Sequence, residues 1–163
     1  MKRALPKLKR VVVKIGSSSL CHSNGEIDPK RIETVVNEIA SILKKNIQVV
    51  LVSSGAVAAG NNLLNTNGNS IENKQAAASI GQILLLGSFQ NFFKVHDLTV
   101  AQILLTHDDL NDRQRYLSAR NTLESLLFNG VVPIINENDT VSTEEIRFSD
   151  NDFLAALCTS LVN

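Results

Sequence analysis

The chain has almost nothing from which to build a disulfide framework or a metal centre. Its two cysteines, Cys21 and Cys158, stand far apart, and its three histidines, His22, His96 and His107, lack metal-ligand spacing. It has no excess of either charge. The 16 Lys and Arg balance the 16 Asp and Glu, so neither nucleic acid nor an anionic membrane is the expected partner. No stretch is long and apolar enough to span a bilayer. The basic residues Lys2, Arg3, Lys7, Lys9 and Arg10 precede no apolar run of signal-peptide type and read as a solvated arm. A cytoplasmic soluble protein is the expectation. No Ser-His-Asp or Cys-His pairing is evident, which argues against nucleophilic catalysis by the protein. What remains is close to average: 163 residues, 44% hydrophobic and 20% charged, enough for one domain with a real core.

The most informative stretch is Val11-Val12-Val13-Lys14-Ile15-Gly16-Ser17-Ser18-Ser19. Its β-branched run predicts a buried strand ending in a tight turn. A strand apolar on both faces belongs to a parallel sheet covered on both sides by helices. Such a strand has little reason to carry a lysine near its end, because a buried ammonium needs an anionic partner. Gly16 allows close backbone approach, and Ser17 and its neighbours offer hydroxyls and N–H groups, which makes a candidate phosphate site. A lysine snorkelling at a strand edge is the alternative. The spacing is not that of the G-x-x-x-x-G-K-[ST] loop.

The rest of the chain alternates strand and helix. Asp28-Pro29 predicts a helix start. Ile32, Val35, Val36, Ile39, Ile42 and Leu43 recur at helical spacing. Lys44 and Lys45 fall in the expected last turn, and Asn46 suits the left-handed position after it. Val49 to Val52 reads as a second strand, followed by Ser53-Ser54-Gly55-Ala56 and a small-residue helix from about Val57. Asn65 to Ser70 is a polar loop with an Asn67-Gly68 turn. A helix is predicted from about Ile71 to Phe93. Its Gly81 serves either a close contact at Gly81-Gln82 or tight helix packing. Thr99 to Leu105 reads as a third strand, Asp108 to Asp112 as a loop or cap region, and Arg113 to Phe128 as an amphipathic helix. Its residues Arg113, Arg115, Tyr116 and Arg120 make a solvated face or an interface. Val131 to Ile135 reads as a fourth strand, which Pro133 moves toward an edge or a bulge. Asn136-Glu137-Asn138-Asp139 follows, and a last helix begins near Phe153, with Asp150 or Asn151 as its cap.

This order predicts an α/β fold with a mostly parallel sheet and right-handed crossovers. Ligands in such folds sit beyond the carboxyl ends of the strands. Lys14 to Gly16, Ser53 to Ala56 and Asn136 to Asp139 all fall there. The lysine and Gly/Ser turns suit phosphate. The Asp and Asn cluster suits an ammonium or a hydrated Mg²⁺. Phosphoryl transfer to a small amine-bearing acid fits this set. A carboxylate acceptor is already ionised at pH 7 and needs no general base, so the protein has only to align two anions and neutralise their repulsion.

Several motifs carry a resemblance. They are Val12 to Ser18, Val52 to Gly60, Gly81-Gln82, Arg113 to Leu123, Asn136 to Asp139 and Asp150 to Asp152. Together they resemble the glutamate 5-kinase group of the amino acid kinase family, from about Arg10 to the last residue. The resemblance implies a three-layer α/β/α sandwich. It also implies ATP- and Mg²⁺-dependent phosphorylation of L-glutamate to glutamate 5-phosphate, the first step of proline synthesis, by an oligomer with feedback from proline. By position, Lys14 resembles the family's phosphate-binding lysine, with Gly16 and Ser17 beside it. Ser54, Asp139 and Asn151 resemble the glutamate-binding residues, with Gly55 and Ala56 lining the same turn. The family carries a further half that holds the nucleotide, so the expectation is a single domain over 1–163, cut short at its C-terminus and inactive alone. A non-catalytic relic or interaction module is one alternative. Another is a kinase of the same family acting on N-acetylglutamate, against which an acidic Asp139 pocket argues.

Overall fold

The computed structural model describes residues 8–64, 70–142 and 151–162. The strands are β1 (Arg10–Ile15), β2 (Gln48–Ser53), β3 (Val100–Leu105) and β4 (Val132–Glu137). The helices are α1 (Pro29–Leu43), α2 (Ala56–Asn61), α3 (Ile71–Lys94), α4 (His107–Asn111), α5 (Arg113–Phe128) and α6 (Asn151–Leu161). Lys2, Arg3 and Lys7, the Asn67-Gly68 turn, and Ser149 and Asp150 lie outside the described residues.

The four strands form one all-parallel sheet in the order β1-β2-β4-β3. Side-chain alternation divides them between two cores. Val49, Leu51, Val132 and Ile134 face one side, with Ile32, Val36 and Ile39 of α1 and Leu85, Phe89 and Phe93 of α3. Val50, Val52 and Ile135 face the other, with Leu123 and Leu127 of α5 and Leu154, Cys158 and Leu161 of α6. This is the expected α/β/α sandwich. β1 is an outer strand of the described sheet, and its residues are half-buried rather than fully buried. Its parity still matters. Val11, Val13 and Ile15 pack toward α1 and α3, while Val12 packs toward α5 and α6. Arg10 shares the side of Val12. It pairs with Glu124 of α5 at 2.6 Å and also donates to Gln48 Oε1 and to the Val162 carbonyl.

Several local expectations hold. Asp28 accepts from the backbone N–H groups of Lys30 and Arg31 ahead of Pro29. Asn46 is left-handed, with φ 58°. Other expectations are corrected. α1 ends at Leu43, so Lys44 and Lys45 lie at and beyond its cap rather than in its last turn. Residues around Asp108 form the short helix α4, because Thr106 and Asp109 cap each other reciprocally. Pro133 sits in an interior strand. Val132 N donates to Thr99 O on the β3 side, so the next backbone nitrogen, that of Pro133, faces β2. There the ladder begins only at Leu51 and Ile134, and the missing N–H is never called upon.

The glycines of α2 and α3 resolve the open reading of Gly81 in favour of close helix packing. A Cβ on Gly81 would stand 1.7 Å from the carbonyl oxygen of Ala56, and one on Gly60 would stand 1.9 Å from that of Ala77. The two backbones therefore touch, which fixes α2 against α3. Gly87 meets nothing within 4 Å. Gly81→Ala is expected to lower stability by about 1–3 kcal/mol through overpacking. Gly87→Ala should raise it by up to about 1 kcal/mol through helix propensity. Urea unfolding of the two variants checks the contrast, and equal effects would contradict it.

Candidate functional site

The site is built where β1, β2 and β4 end. Ser54 N donates to Ile15 O at 3.1 Å, which joins the ends of β1 and β2. Gly55 then takes φ 108°, a left-handed conformation that turns the chain directly into α2. A Cβ on Gly55 would stand 3.4 Å from Ser17 Cβ and 3.5 Å from Cys21 Sγ, so the turn lies flat on the short 3₁₀ segment Ser17–Ser19. Asn136 continues the face of Val132 and Ile134 toward α3, where it donates to Gln82 Oε1 at 2.7 Å.

Asn151, in the first turn of α6, closes the arrangement. Its Nδ2 lies 2.8 Å from Ser53 O, 2.7 Å from Ser54 Oγ and 3.1 Å from Asn136 Oδ1, so its two protons are shared among three acceptors. The expected capping role for Asn151 thus gives way to a bridge between α6 and two strand ends. Around it lies a cleft of about 410 Å³ lined by Ser17, Ser54, Gly55, Ala56, Asp139 and Asn151, together with Asn136, Glu137 and α2 residues including Asn61.

Six of the eight site residues expected from sequence therefore share one cleft. Lys14 and Gly16 stand at its side, outside the lining. Lys14 follows the parity of Val12 to the α6 side of the sheet, where its Nζ meets Asp152 Oδ1 at 2.7 Å. Two-thirds of the Asp152 side chain is exposed, so the pair is a screened one, worth about 0–1 kcal/mol. A Cβ on Gly16 would stand 3.8 Å from Lys14 Nζ, an ordinary contact distance. This donor set suits an anion. Among the described residues no group of three or more His, Cys, Asp or Glu could hold a metal ion.

Sequence reasoning placed Asn136 at the strand ends without a role of its own, and named Gln82 and Asp152 within motifs without giving them a place in the site. Glu137, 7% exposed, accepts from Ser142 Oγ at 2.7 Å. Gln75 donates to Ser142 O, and Ser79 bonds Thr140, so α3 also holds the turn that carries Asp139.

Residues 9–163 match the amino acid kinase family. The chain is 48% identical over 163 residues to a glutamate 5-kinase of Citrifermentans bemidjiense, covering 99% of this chain and 44% of that protein. It is 51% identical to glutamate 5-kinases of a Marinomonas species and of Methylococcus capsulatus, covering 44% and 43% of those proteins. The chain thus spans less than half the length of the relatives it matches. No helix among the described residues is long and apolar enough to cross a membrane.

Both cysteines are poor nucleophiles. Burial pushes the Cys158 thiol up to about 12. Burial also raises Cys21, with Arg31 opposing it. Neither should react with a thiol reagent near pH 7 until the chain unfolds. Because the folded pKa of Cys158 lies above the ordinary 9.0, the unfolded chain loses that proton first as pH rises. Its contribution to stability is present below about pH 9 and is lost between there and about 12. Titration with a thiol reagent at neutral pH, and urea unfolding at rising pH, check both statements.

Proposed function

This chain belongs to the amino acid kinase family, and we propose that it supplies the acceptor side of a glutamate 5-kinase. The reaction is ATP-dependent phosphorylation of the L-glutamate γ-carboxylate to glutamate 5-phosphate, which begins proline synthesis in the cytoplasm. The observation that carries this reading is the convergence of Ser54, Asp139 and Asn151 on one cleft beyond the strand ends.

In this reading Asp139 meets the α-ammonium of glutamate. The Ser54 hydroxyl accepts from Asn151 and keeps its own proton to donate to a substrate carboxylate. Gly55 and Ala56 form the wall on which the substrate lies. The γ-carboxylate enters ionised, so no side chain has to remove a proton. Lys14 leaves Asp152 and neutralises charge between the two reacting anions, with Gly16 and Ser17 beside the phosphate. ATP carried with Mg²⁺ supplies the phosphoryl group, and the metal would arrive largely on the phosphates, as Mg²⁺ ordinarily does. An N-acylated acceptor has no ammonium for Asp139, which disfavours N-acetylglutamate. Assembly into an oligomer and feedback by proline belong to the same reading.

Calorimetry on the 163-residue chain tests the acceptor site. L-Glutamate should bind, and Asp139→Asn should weaken it by about 10–100-fold, the loss of a charged hydrogen bond, with N-acetylglutamate little affected. Equal losses for both ligands would assign Asp139 to the fold. In any active kinase that includes this segment, Lys14→Ala should lower kcat by about 10²–10³. Unchanged turnover would remove Lys14 from the reaction.

A further inference from the structure

Asp139 stands on a turn just past β4, and the turn has two ends. Its near end belongs to the sheet: Glu137 pairs with Leu105 of β3, and Asn138 N donates to Leu105 O at 2.9 Å. Its far end is Ser142. The N–H groups of Val141 and Ser142 both reach back to Asn138 O at 3.2 Å, the long end of the usual range, so the backbone alone closes the turn weakly. The Ser142 side chain adds a shorter bond, from its Oγ to Glu137 Oε1 at 2.7 Å. Ser142 is 5% exposed and Glu137 7%, so water cannot readily replace either partner. The bond between Ser79 and Thr140 lies at the surface, where water can compete. The bond from Gln75 ends on the Ser142 carbonyl, so it too depends on where Ser142 sits.

We propose that Ser142 is a positioning residue for Asp139. Its hydroxyl ties the far end of the turn back to Glu137, the last residue of an interior strand, and so fixes the Asp139 carboxylate where a ligand ammonium meets it. Ser142 does not line the cleft and acts only through the turn. Glu137 does line it, but its part in this clamp is that of an acceptor held still by the sheet. The ligand part of the inference rests on the acceptor reading above, while the clamp does not.

Amide hydrogen exchange on the ligand-free chain tests the clamp. Ser142→Ala should speed exchange of the Val141 N–H by about 2–10-fold, the value of one hydrogen bond. The Asn138 N–H, which belongs to the sheet, should not change. Glu137→Gln still offers Ser142 an acceptor and should keep Val141 near its wild-type rate. An unmoved Val141 in Ser142→Ala overturns the clamp, whatever the chain binds. So does equal acceleration in both variants, or an Asn138 N–H that speeds up as much as that of Val141. Ser142→Cys, which has only a weak donor, takes the place of Ser142→Ala if that chain does not fold.

Calorimetry with L-glutamate and glutarate tests the ligand part. The two ligands carry the same pair of carboxylates, so the ratio of their affinities reads the ammonium. Ser142→Ala should lower the preference for glutamate by about 2–10-fold, the most that one such bond can pass on. In an Asp139→Asn background the same substitution should change the preference by less than about twofold, because the group it positions is gone. Equal loss for both ligands, or the same fall in preference with and without Asp139, would overturn the positioning role. Absence of glutamate binding in the wild type, with the exchange rates as expected, would overturn both the acceptor reading and the positioning role while leaving the clamp in place.

Discussion

The contact on which the site depends is the bond from Asn151 Nδ2 to the carbonyl of Ser53. Ser53 is the last residue of β2 and lies one residue past the last pairing of β2 with β4, that of Val52 with Ile135. A buried carbonyl in that position needs a donor. Asn151 meets the need from the first turn of α6 and, in doing so, brings that helix start over the sheet end. Ser54, Asn136 and Gln82 then follow from the geometry of a single amide.

Everything else at this end of the sheet serves to hold the same spot still. The touching backbones of α2 and α3 fix the Gly55 turn. α3 also reaches the Asp139 turn through Gln75 and Ser79, and the floor of the cleft through Gln82. One long helix thus sets three sides of the cleft. Such a support suits phosphoryl transfer, in which the protein contributes position and charge more than covalent chemistry.

The strands and long helices were legible because hydrophobic periodicity is local: Val49 to Val52, Ile32 to Leu43 and Arg113 to Phe128 each announce themselves within a few residues. The cleft was legible because strand ends in a parallel sheet gather in one place. The three amides were not, because Gln82, Asn136 and Asn151 come from three separate elements and nothing in their local sequence says which will face which. The pairing of Lys14 with Asp152 depends on parity along β1 and on where α6 starts, two facts that no single motif contains. Pro133 misled for a related reason. Its missing N–H matters only on the side where a partner asks for it, and that side is set by the offset of β2.

The most direct measurement is a crystal structure of the chain grown with L-glutamate. The account predicts glutamate in the cleft between Ser54 and Asp139, its ammonium within hydrogen-bond distance of Asp139. Its γ-carboxylate should point toward Lys14. Glutamate bound elsewhere, or bound there with its ammonium away from Asp139, would contradict it.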